Sequence, residues 1–195
     1  MNERKACIIR ASDQAEVKVV LNLDGKGDSA VQTGIPFLDH MLALFARHGA
    51  FDLEVQCKAT EAAPRLLAED VAACLGLALD KALGDKTGIC RAGHSLTPVD
   101  EHLARAVVEI SGRPCLVYRV RAAVPSPASA DSVAVEGFWR AFAAQARLTI
   151  HIELLYGDAG LPAFEAVFKA AARALSDACW IRARLQGFSP RAGAD

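Results

Sequence analysis

The sequence predicts an α+β fold made of two similar halves. Apolar residues alternate with polar ones from Val17 to Leu23, which is the two-residue period of a strand with one buried face. After Pro36 apolar residues recur at helical spacing, and Gly49 is placed to end that helix. The same order of strand pair, helix, strand and helix then returns. Two copies of one unit indicate a tandem duplication rather than a solenoid.

The first half, about residues 1–90, contains a hairpin and two helices in this prediction. Turn residues at 24–27 close the strand that pairs with Cys7–Arg10. The remaining predicted elements are a helix at Pro36–Gly49, a strand at Phe51–Val55 and a helix from about Leu66 to Leu83 that ends at Gly84.

The second half, about residues 91–180, repeats this order and is followed by a tail at 181–195. The predicted strands are Ala104–Ile110, Cys115–Val120 and Leu148–Leu155, with a turn at 111–114, a loop at 125–129 and helices near Asp131–Gln145 and from Gly160 to about Trp180. Placing His40 over Gly137 aligns Phe45 with Phe142 and brings Glu69 to within one residue of Glu165. We therefore expect the 195 residues to form one compact unit.

Composition excludes several classes of partner. The net charge is −1 and no basic stripe is present, so we expect neither nucleic acid nor a membrane surface as a ligand, and a small molecule instead. The six cysteines are dispersed without a C-x-x-C motif, and the chain starts without the apolar stretch of a signal peptide. These features predict a soluble protein of the reduced cytoplasm.

Seven short motifs give the chain a resemblance to a known family. They are TGIPFLDHML at 33–42, RHGAFD at 47–52, EDV at 69–71, GICR at 88–91, PVDE at 98–101, SGRP at 111–114 and FEAVFKA at 164–170. In this order and spacing the chain resembles the imidazoleglycerol-phosphate dehydratases. The resemblance implies a duplicated fold like domain 2 of ribosomal protein S5, with helices sandwiched between two sheets. It also implies a homo-oligomer, a trimer or a larger cubic assembly of trimers, with active sites at subunit junctions.

The family eliminates water from imidazoleglycerol phosphate in histidine biosynthesis, using two manganese ions held mostly by histidines. Each half of a family member carries His-His-x-x-Glu, but this chain has RLLAE at 65–69 and LPAFE at 161–165. A further family histidine corresponds to Gly137, and a family glutamate corresponds to Gln14. Only His40, Glu69 and Glu165 remain, which is too few for two transition-metal sites. We therefore expect no bound metal or other cofactor.

The resemblance also assigns residues that bind the substrate phosphate. Arg91, Arg113 and Lys169 match the family's phosphate-binding positions, and three cations suit a dianion through charge-assisted hydrogen bonds. The family's C-terminal Ser-x-Lys has no match in register, although Ser189 and Arg191 offer the same chemistry two residues earlier. We expect a small phosphorylated substrate.

Candidate catalytic residues are those that can exchange a proton near this site. The candidates are Glu69, Asp70, Asp100, Glu101, Glu165, His40 and His102, with His94 as a weaker one. Structural explanations remain open for several of them. Glu165 and Lys169 are four residues apart and can form an intrahelical ion pair, and His40 can be a satisfied structural histidine.

Three functions remain open at this point. The retained cations and lost metal ligands favour a repurposed, metal-independent acid–base enzyme on a phosphorylated polyol or aldehyde, for instance a Pictet–Spengler condensation of an aldose phosphate with an aromatic amine. The second function is a non-catalytic scaffold subunit. The third is a dehydratase that survives with an atypical metal site.

Overall fold

The structure is a computed structural model and describes residues 4–11, 15–59, 63–120, 128–158 and 160–182. The strands are β1 (Lys5–Ala11), β2 (Ala15–Asn22), β3 (Ser29–Gln32), β4 (Asp52–Ala59), β5 (Ala92–Val99), β6 (His102–Glu109), β7 (Cys115–Arg119) and β8 (Thr149–Tyr156). The helices are α1 (Pro36–Gly49), α2 (Pro64–Leu83), α3 (Ala128–Ala146) and α4 (Leu161–Cys179). None of the helices in these ranges is long and apolar enough to cross a membrane.

The two halves have the same topology, which confirms the predicted duplication. The first sheet has the strand order β1-β2-β4-β3 and the second has the order β5-β6-β8-β7. In each sheet the first three strands pair antiparallel, and the fourth, β3 or β7, runs parallel to its neighbour. Each half therefore has three strands before its first helix, not the predicted two. β3 was not predicted, and neither was β5.

The four helices form a layer between the two sheets, as the fold prediction requires. In β2 the side chains of Val17, Val19 and Leu21 are buried on the inner face, and the alternate residues are half-buried or exposed. Helix α2 covers β1 and β2, and α4 covers β5 and β6. Within the layer α1 contacts α4, and α2 contacts α3. Since α4 meets a sheet on one side and a helix on another, most of its residues are buried alanines and apolar side chains.

The start of α1 is fixed by a local hydrogen-bond network. The Asp39 carboxylate accepts hydrogen bonds from the backbone amide (2.8 Å) and the hydroxyl (2.5 Å) of Thr33, which is buried. Pro36 occupies the first turn, where its missing N–H costs no hydrogen bond. The conspicuous 33–42 motif therefore builds the turn that presents His40, the residue after Asp39.

Helix α1 ends at Gly49, as predicted, but for a different physical reason. The left-handed residue is Ala50 (φ 54°), not Gly49, and its amide bonds to carbonyls of the last turn. Gly49 is needed for space, because a Cβ there would lie 2.4 Å from the Phe51 ring. Gly84 does follow the last residue of α2, as predicted.

Gly76 sets the distance between α2 and α3. A Cβ at this position would lie 2.6 Å from the Phe142 carbonyl oxygen and 2.9 Å from the Ala146 backbone nitrogen. Both atoms belong to the α3 backbone, which cannot move aside as a side-chain end can. The two helices are therefore in backbone contact at this point.

Replacing Gly76 by alanine should destabilise the protein by about 1–3 kcal/mol, because overpacking outweighs the better helix propensity of alanine. Urea unfolding of Gly76→Ala beside the unchanged protein measures this. Lys81→Ala, at an exposed position of the same helix, is the control and should change the free energy of unfolding by less than about 0.5 kcal/mol. A Gly76→Ala protein as stable as the parent would show that the helices can separate freely.

Candidate active site

The first ionic cluster joins α1 to α4 and contains His40, Glu165 and Lys169. The Nε2 atom of His40 lies 2.8 Å from Oε1 of Glu165, and the Lys169 ammonium donates a hydrogen bond of 3.0 Å to Oε2. The side chains of Glu165 and Lys169 are 21% and 16% exposed, whereas that of His40 is 47% exposed. We call this set the histidine cluster. Its imidazole is the member that faces solvent and can meet a ligand.

The charges of this cluster keep Glu165 ionised. The hydrogen bond with His40 is the largest influence that lowers the pKa of the Glu165 carboxyl, and Lys169 lowers it further. Partial burial acts in the opposite direction but does not reverse the result. A carboxylate bonded to an imidazole orients the ring and stabilises its protonated form. The pair is therefore suited to taking up and releasing a proton.

The second ionic cluster joins α2 to α3 and contains Arg65, Glu69 and Gly137. Arg65 Nε donates a hydrogen bond of 3.1 Å to Oε1 of Glu69, one helical turn away. A Cβ on Gly137 would lie only 2.6 Å from that same oxygen. We call this set the glycine cluster. The Glu69 side chain fills the space that a side chain at 137 would need.

The duplication makes these two clusters equivalent in position. When the two halves are aligned, His40 corresponds to Gly137, and Glu165 lies within one residue of the counterpart of Glu69. In each cluster a glutamate therefore contacts the neighbouring helix at this corresponding position, which is His40 in one half and Gly137 in the other. One cluster has a histidine at that point and the other has a glycine. The two halves therefore offer different chemistry at equivalent places.

The predicted phosphate-binding cations are not all brought together within one chain. Arg91 directly precedes β5, with Nη1 3.5 Å from the carbonyl oxygen of Ile110, the residue after β6, and Arg113 lies in the turn that follows β6. The Arg91 amide bonds to the carbonyl of Ala178, near the C-terminal end of α4. Lys169 is nine residues earlier, about 13 Å along the helix axis. Ser189 and Arg191 lie outside the described residues.

The other acidic candidates lie apart from both clusters. Asp70 is 3.4 Å from Nη1 of Arg10 on β1. Asp100, with a positive φ of 48°, and Glu101 form the exposed turn between β5 and β6. Their catalytic roles stay predictions.

His102 is a buried residue with a structural contact. Its Nε2 atom donates a 2.9 Å hydrogen bond to the Asp158 carbonyl, and its ring packs against Gly157, where a Cβ would lie 2.4 Å from Cδ2. The ring therefore holds the segment that leads into α4. His94 is exposed on β5, opposite Val107 of β6, and has no contact with the histidine cluster.

Sequence reasoning missed the basic residues beside the histidine cluster. The guanidinium of Arg173 donates to Nδ1 of His48 across the contact between α4 and α1, at 3.4 Å. The spacing of Glu165, Lys169 and Arg173, four residues each, could have shown that these side chains share one face of α4. The partner helix could not be read from the sequence.

Within one chain the described residues do not assemble the metal site that the resemblance implies. In the ranges that the structure describes, no three His, Cys, Asp or Glu side chains come together to hold an ion. Glu69 is paired with Arg65, and Glu165 with Lys169 and His40. These residues of one chain do not fit a two-manganese centre. Gln14 and residues 60–62 lie outside the described ranges.

Fold and clusters together define a duplicated α+β protein with two ionic clusters between its helices. A family model described as imidazoleglycerol-phosphate dehydratase matches residues 33–175. The chain is 43% identical to the imidazoleglycerol-phosphate dehydratase of Syntrophus aciditrophicus over 186 residues, 94% of each chain. It is 45% identical to that of Heliobacterium modesticaldum over 176 residues, 90% of each.

Solved structures agree with these relatives. The imidazoleglycerol-phosphate dehydratase of Staphylococcus aureus superposes with a TM-score of 0.81 at 33% identity, covering 91% of this chain and 99% of the other. The Pyrococcus furiosus IGPD gives 0.77 at 26% identity, covering 91% and 96%. The chain belongs to the imidazoleglycerol-phosphate dehydratase family.

The expectation of a repurposed, metal-independent enzyme is wrong. Relatives 42–45% identical over nine-tenths or more of the chain are named imidazoleglycerol-phosphate dehydratase, so the similarity is not confined to the fold and the phosphate positions. The sequence prediction gave most weight to a few missing histidines. The comparisons support an enzyme, a hydro-lyase, and favour the surviving dehydratase among the three functions.

The Glu165 contacts predict a pH-dependent contribution to stability. Because its pKa is lowered in the folded protein, this contribution is present above the ordinary carboxyl value of 4.5 and is lost as the pH falls through the folded value. The difference in free energy of unfolding between the parent and Glu165→Gln should therefore be larger at about pH 5 than at about pH 3. Urea unfolding at both values measures it, and an equal difference at both would contradict the assignment.

Proposed function

We propose that the protein is a hydro-lyase that removes water from imidazoleglycerol phosphate, a step of histidine biosynthesis. The observation that carries this proposal is the identity of 43% over 94% of the chain to a relative with that name. Reduced surroundings suit the protein, since all six cysteines are free. We therefore also propose a cytoplasmic location.

The histidine cluster supplies the proton transfers that such a reaction needs. Elimination of water from a diol removes a proton from one carbon and a hydroxide from the next, leaving an enol that becomes a ketone. An imidazole next to a carboxylate can accept the first proton and can donate one to the departing hydroxide. His40 is the exposed member of the cluster, and its Nε2 atom lies 2.8 Å from the ionised Glu165 carboxylate, which orients the ring.

The substrate phosphate is assigned to the basic residues carried over from the family. We propose Arg91, Arg113 and Lys169 for this role, with Ser189 and Arg191 from the tail. Lys169 lies about 13 Å along α4 from Ala178, the residue whose carbonyl binds the Arg91 amide. With the backbone arranged as it is in one chain, a single phosphate group would not contact all of these residues. Residues from neighbouring subunits would complete the site. A homo-oligomer, a trimer or a larger cubic assembly, follows from this proposal.

The family's metal does not enter these steps, since the described residues of one chain do not fit it. Manganese in family members supplies a positive charge next to the substrate ring. In this chain the described positive groups beside the two glutamates are Arg65, Lys169 and His40. The loss of the metal site stays a prediction.

A direct assay tests the proposed activity. Purified protein is incubated with imidazoleglycerol phosphate, with a chelator in one sample and added manganese in another, and the ketone product is followed by NMR. Turnover in either sample supports the proposal. His40→Asn should lower kcat/KM by about 100-fold or more, because it removes the group that transfers protons.

His151→Asn is the matched control, since His151 is exposed on β8 and opposite Val107 on the outer face of the second sheet. It should leave kcat/KM within about twofold of the parent, as expected for a surface change. Absence of product in both samples, with the protein folded by circular dichroism, would refute the dehydratase proposal.

A further inference from the structure

Helices α1 and α4 run parallel along a continuous seam. His40 meets Glu165 at one point, and His48 meets Arg173 two turns further along both helices. The two contacts are about 12 Å apart at the rise of an α-helix. We call this line of contact the α1–α4 seam. Its first end is the histidine cluster, whereas its second end carries basic groups only.

Two arginines at the second end lack a carboxylate partner. Among the described residues, neither Arg47 nor Arg173 has an acidic oxygen within 4.0 Å, the distance that defines an ion pair here. The only hydrogen-bonding partner of the Arg173 side chain in these ranges is His48. Lys169, by contrast, is already paired with Glu165. Positive charge therefore accumulates on one side of the seam.

Helix polarity explains only part of this pattern. Arg47 and His48 lie in the last turn of α1, where a cation interacts favourably with the helix dipole. Arg173 lies six residues before the end of α4, and no basic residue occupies the last turn of that helix. The Arg173 side chain contacts His48, so two basic side chains lie together. This costs free energy unless an anion binds between them or the imidazole stays neutral.

His48 responds to these charges by staying neutral. A guanidinium has no acceptor, so His48 Nδ1 accepts the hydrogen bond from Arg173 and the ring proton is on Nε2. Burial is the largest influence that lowers the pKa of His48, followed by the positive charges of Arg173, Lys169 and Arg47. An anion bound among these residues would offset that repulsion.

A surface cleft beside the seam provides room for a ligand. It has a volume of about 320 Å³, and its lining includes His40 and Arg47 of α1 and Asp28 and Ser29 of the 27–29 loop, but neither His48 nor Arg173. Gly27 allows the 27–29 loop to lie directly on α1, because its missing Cβ would be 3.1 Å from the Arg47 Cα atom. Asp28 is the one carboxylate in this lining, and it is not within ion-pair distance of Arg47.

We propose that Arg47, His48 and Arg173 form an oxyanion subsite at the second end of the α1–α4 seam, separate from the predicted Arg91 and Arg113 positions. The ligand is a phosphate monoester or a similar small oxyanion. Arg47 and Arg173 supply charge-assisted donors, and the free N–H of His48 supplies a neutral one. Oxyanion binding here does not depend on the proposed dehydratase activity.

Sulfate binding by the full chain tests the subsite, and sulfate keeps one charge state across the pH range used. Isothermal titration calorimetry should show saturable binding by the parent protein. Arg173→Gln and Arg47→Gln should each weaken it by about tenfold or more, since each removes a charged donor. Arg173→Lys keeps the charge but not the fork and should lose less.

Arg119→Gln is the matched control. Arg119 is 70% exposed on the outer sheet face and its nearest acidic oxygen, on Glu153, is 4.0 Å away. This variant should bind sulfate as the parent does. Parent binding that does not saturate, or equal affinities in the Arg173→Gln and Arg119→Gln proteins, would overturn the subsite. Thermal unfolding of each variant confirms that the comparison is between folded proteins.

A pH series adds a readout that a structural role would not change. Protonation of His48 adds a positive charge near Arg47 of its own helix and Lys169 and Arg173 of α4. Because the pKa of His48 is lowered from its ordinary value of 6.5, sulfate affinity of the parent should rise as the pH falls below that value, and His48→Gln should remove that rise. An identical pH dependence in both proteins would contradict the role of His48.

Kinetics then identify the source of the oxyanion. If it is the phosphate of the substrate, Arg173→Gln raises KM for imidazoleglycerol phosphate, and sulfate competes with substrate. If it is a separate anion, sulfate binding is lost in the variant while KM stays unchanged. Both results support the subsite. A protein without turnover that still binds sulfate at these residues would reject the dehydratase proposal alone.

Discussion

The structure depends on four helices that lie between two sheets and cover the apolar face of each. A sheet with one apolar face must bury it, and here each sheet packs against the two helices of its own half, which in turn pack against the helices of the other half. The helices consequently need small, apolar residues on most sides, and α2 reaches backbone contact with α3 at Gly76. The charged side chains of the two clusters lie at the contacts between these helices. His40 and Glu165 belong to one seam, and Glu69 and Gly137 to the other.

Duplication gives the molecule two seams of the same geometry with different contents. In one, an imidazole meets a carboxylate that a lysine also contacts. In the other, the carboxylate turns back to an arginine of its own helix and covers a glycine. Only the first arrangement can exchange a proton through a histidine. Family membership rests on the length and level of identity to the relatives, whereas this asymmetry is a feature of the contacts within this chain.

Much of the fold could be predicted because periodicity reports burial. The alternation in β2 and the helical spacing after Pro36 reflect faces that are buried in the structure. The short strand β3 has a mostly exposed burial pattern, so it carries no such signal. Gly49 was predicted because a glycine often ends a helix, although a glycine is needed there to leave room for the Phe51 ring.

The clusters could be predicted only in part, because intrahelical spacing shows Glu165 and Lys169 together but does not show which helix lies opposite. The contact of Arg173 with His48 depends on that tertiary arrangement.

The close approach of Glu69 to Gly137 couples three positions in the history of the chain. A histidine at 137 needs the volume that the Glu69 carboxylate fills, and that carboxylate is held there by Arg65. A mutation at any one of these positions would meet an environment adapted to the other two. Replacing these residues one at a time would therefore pass through unfavourable intermediates. Such epistasis tends to preserve the combination of Arg65, Glu69 and Gly137, even where the combination itself gives no selective advantage.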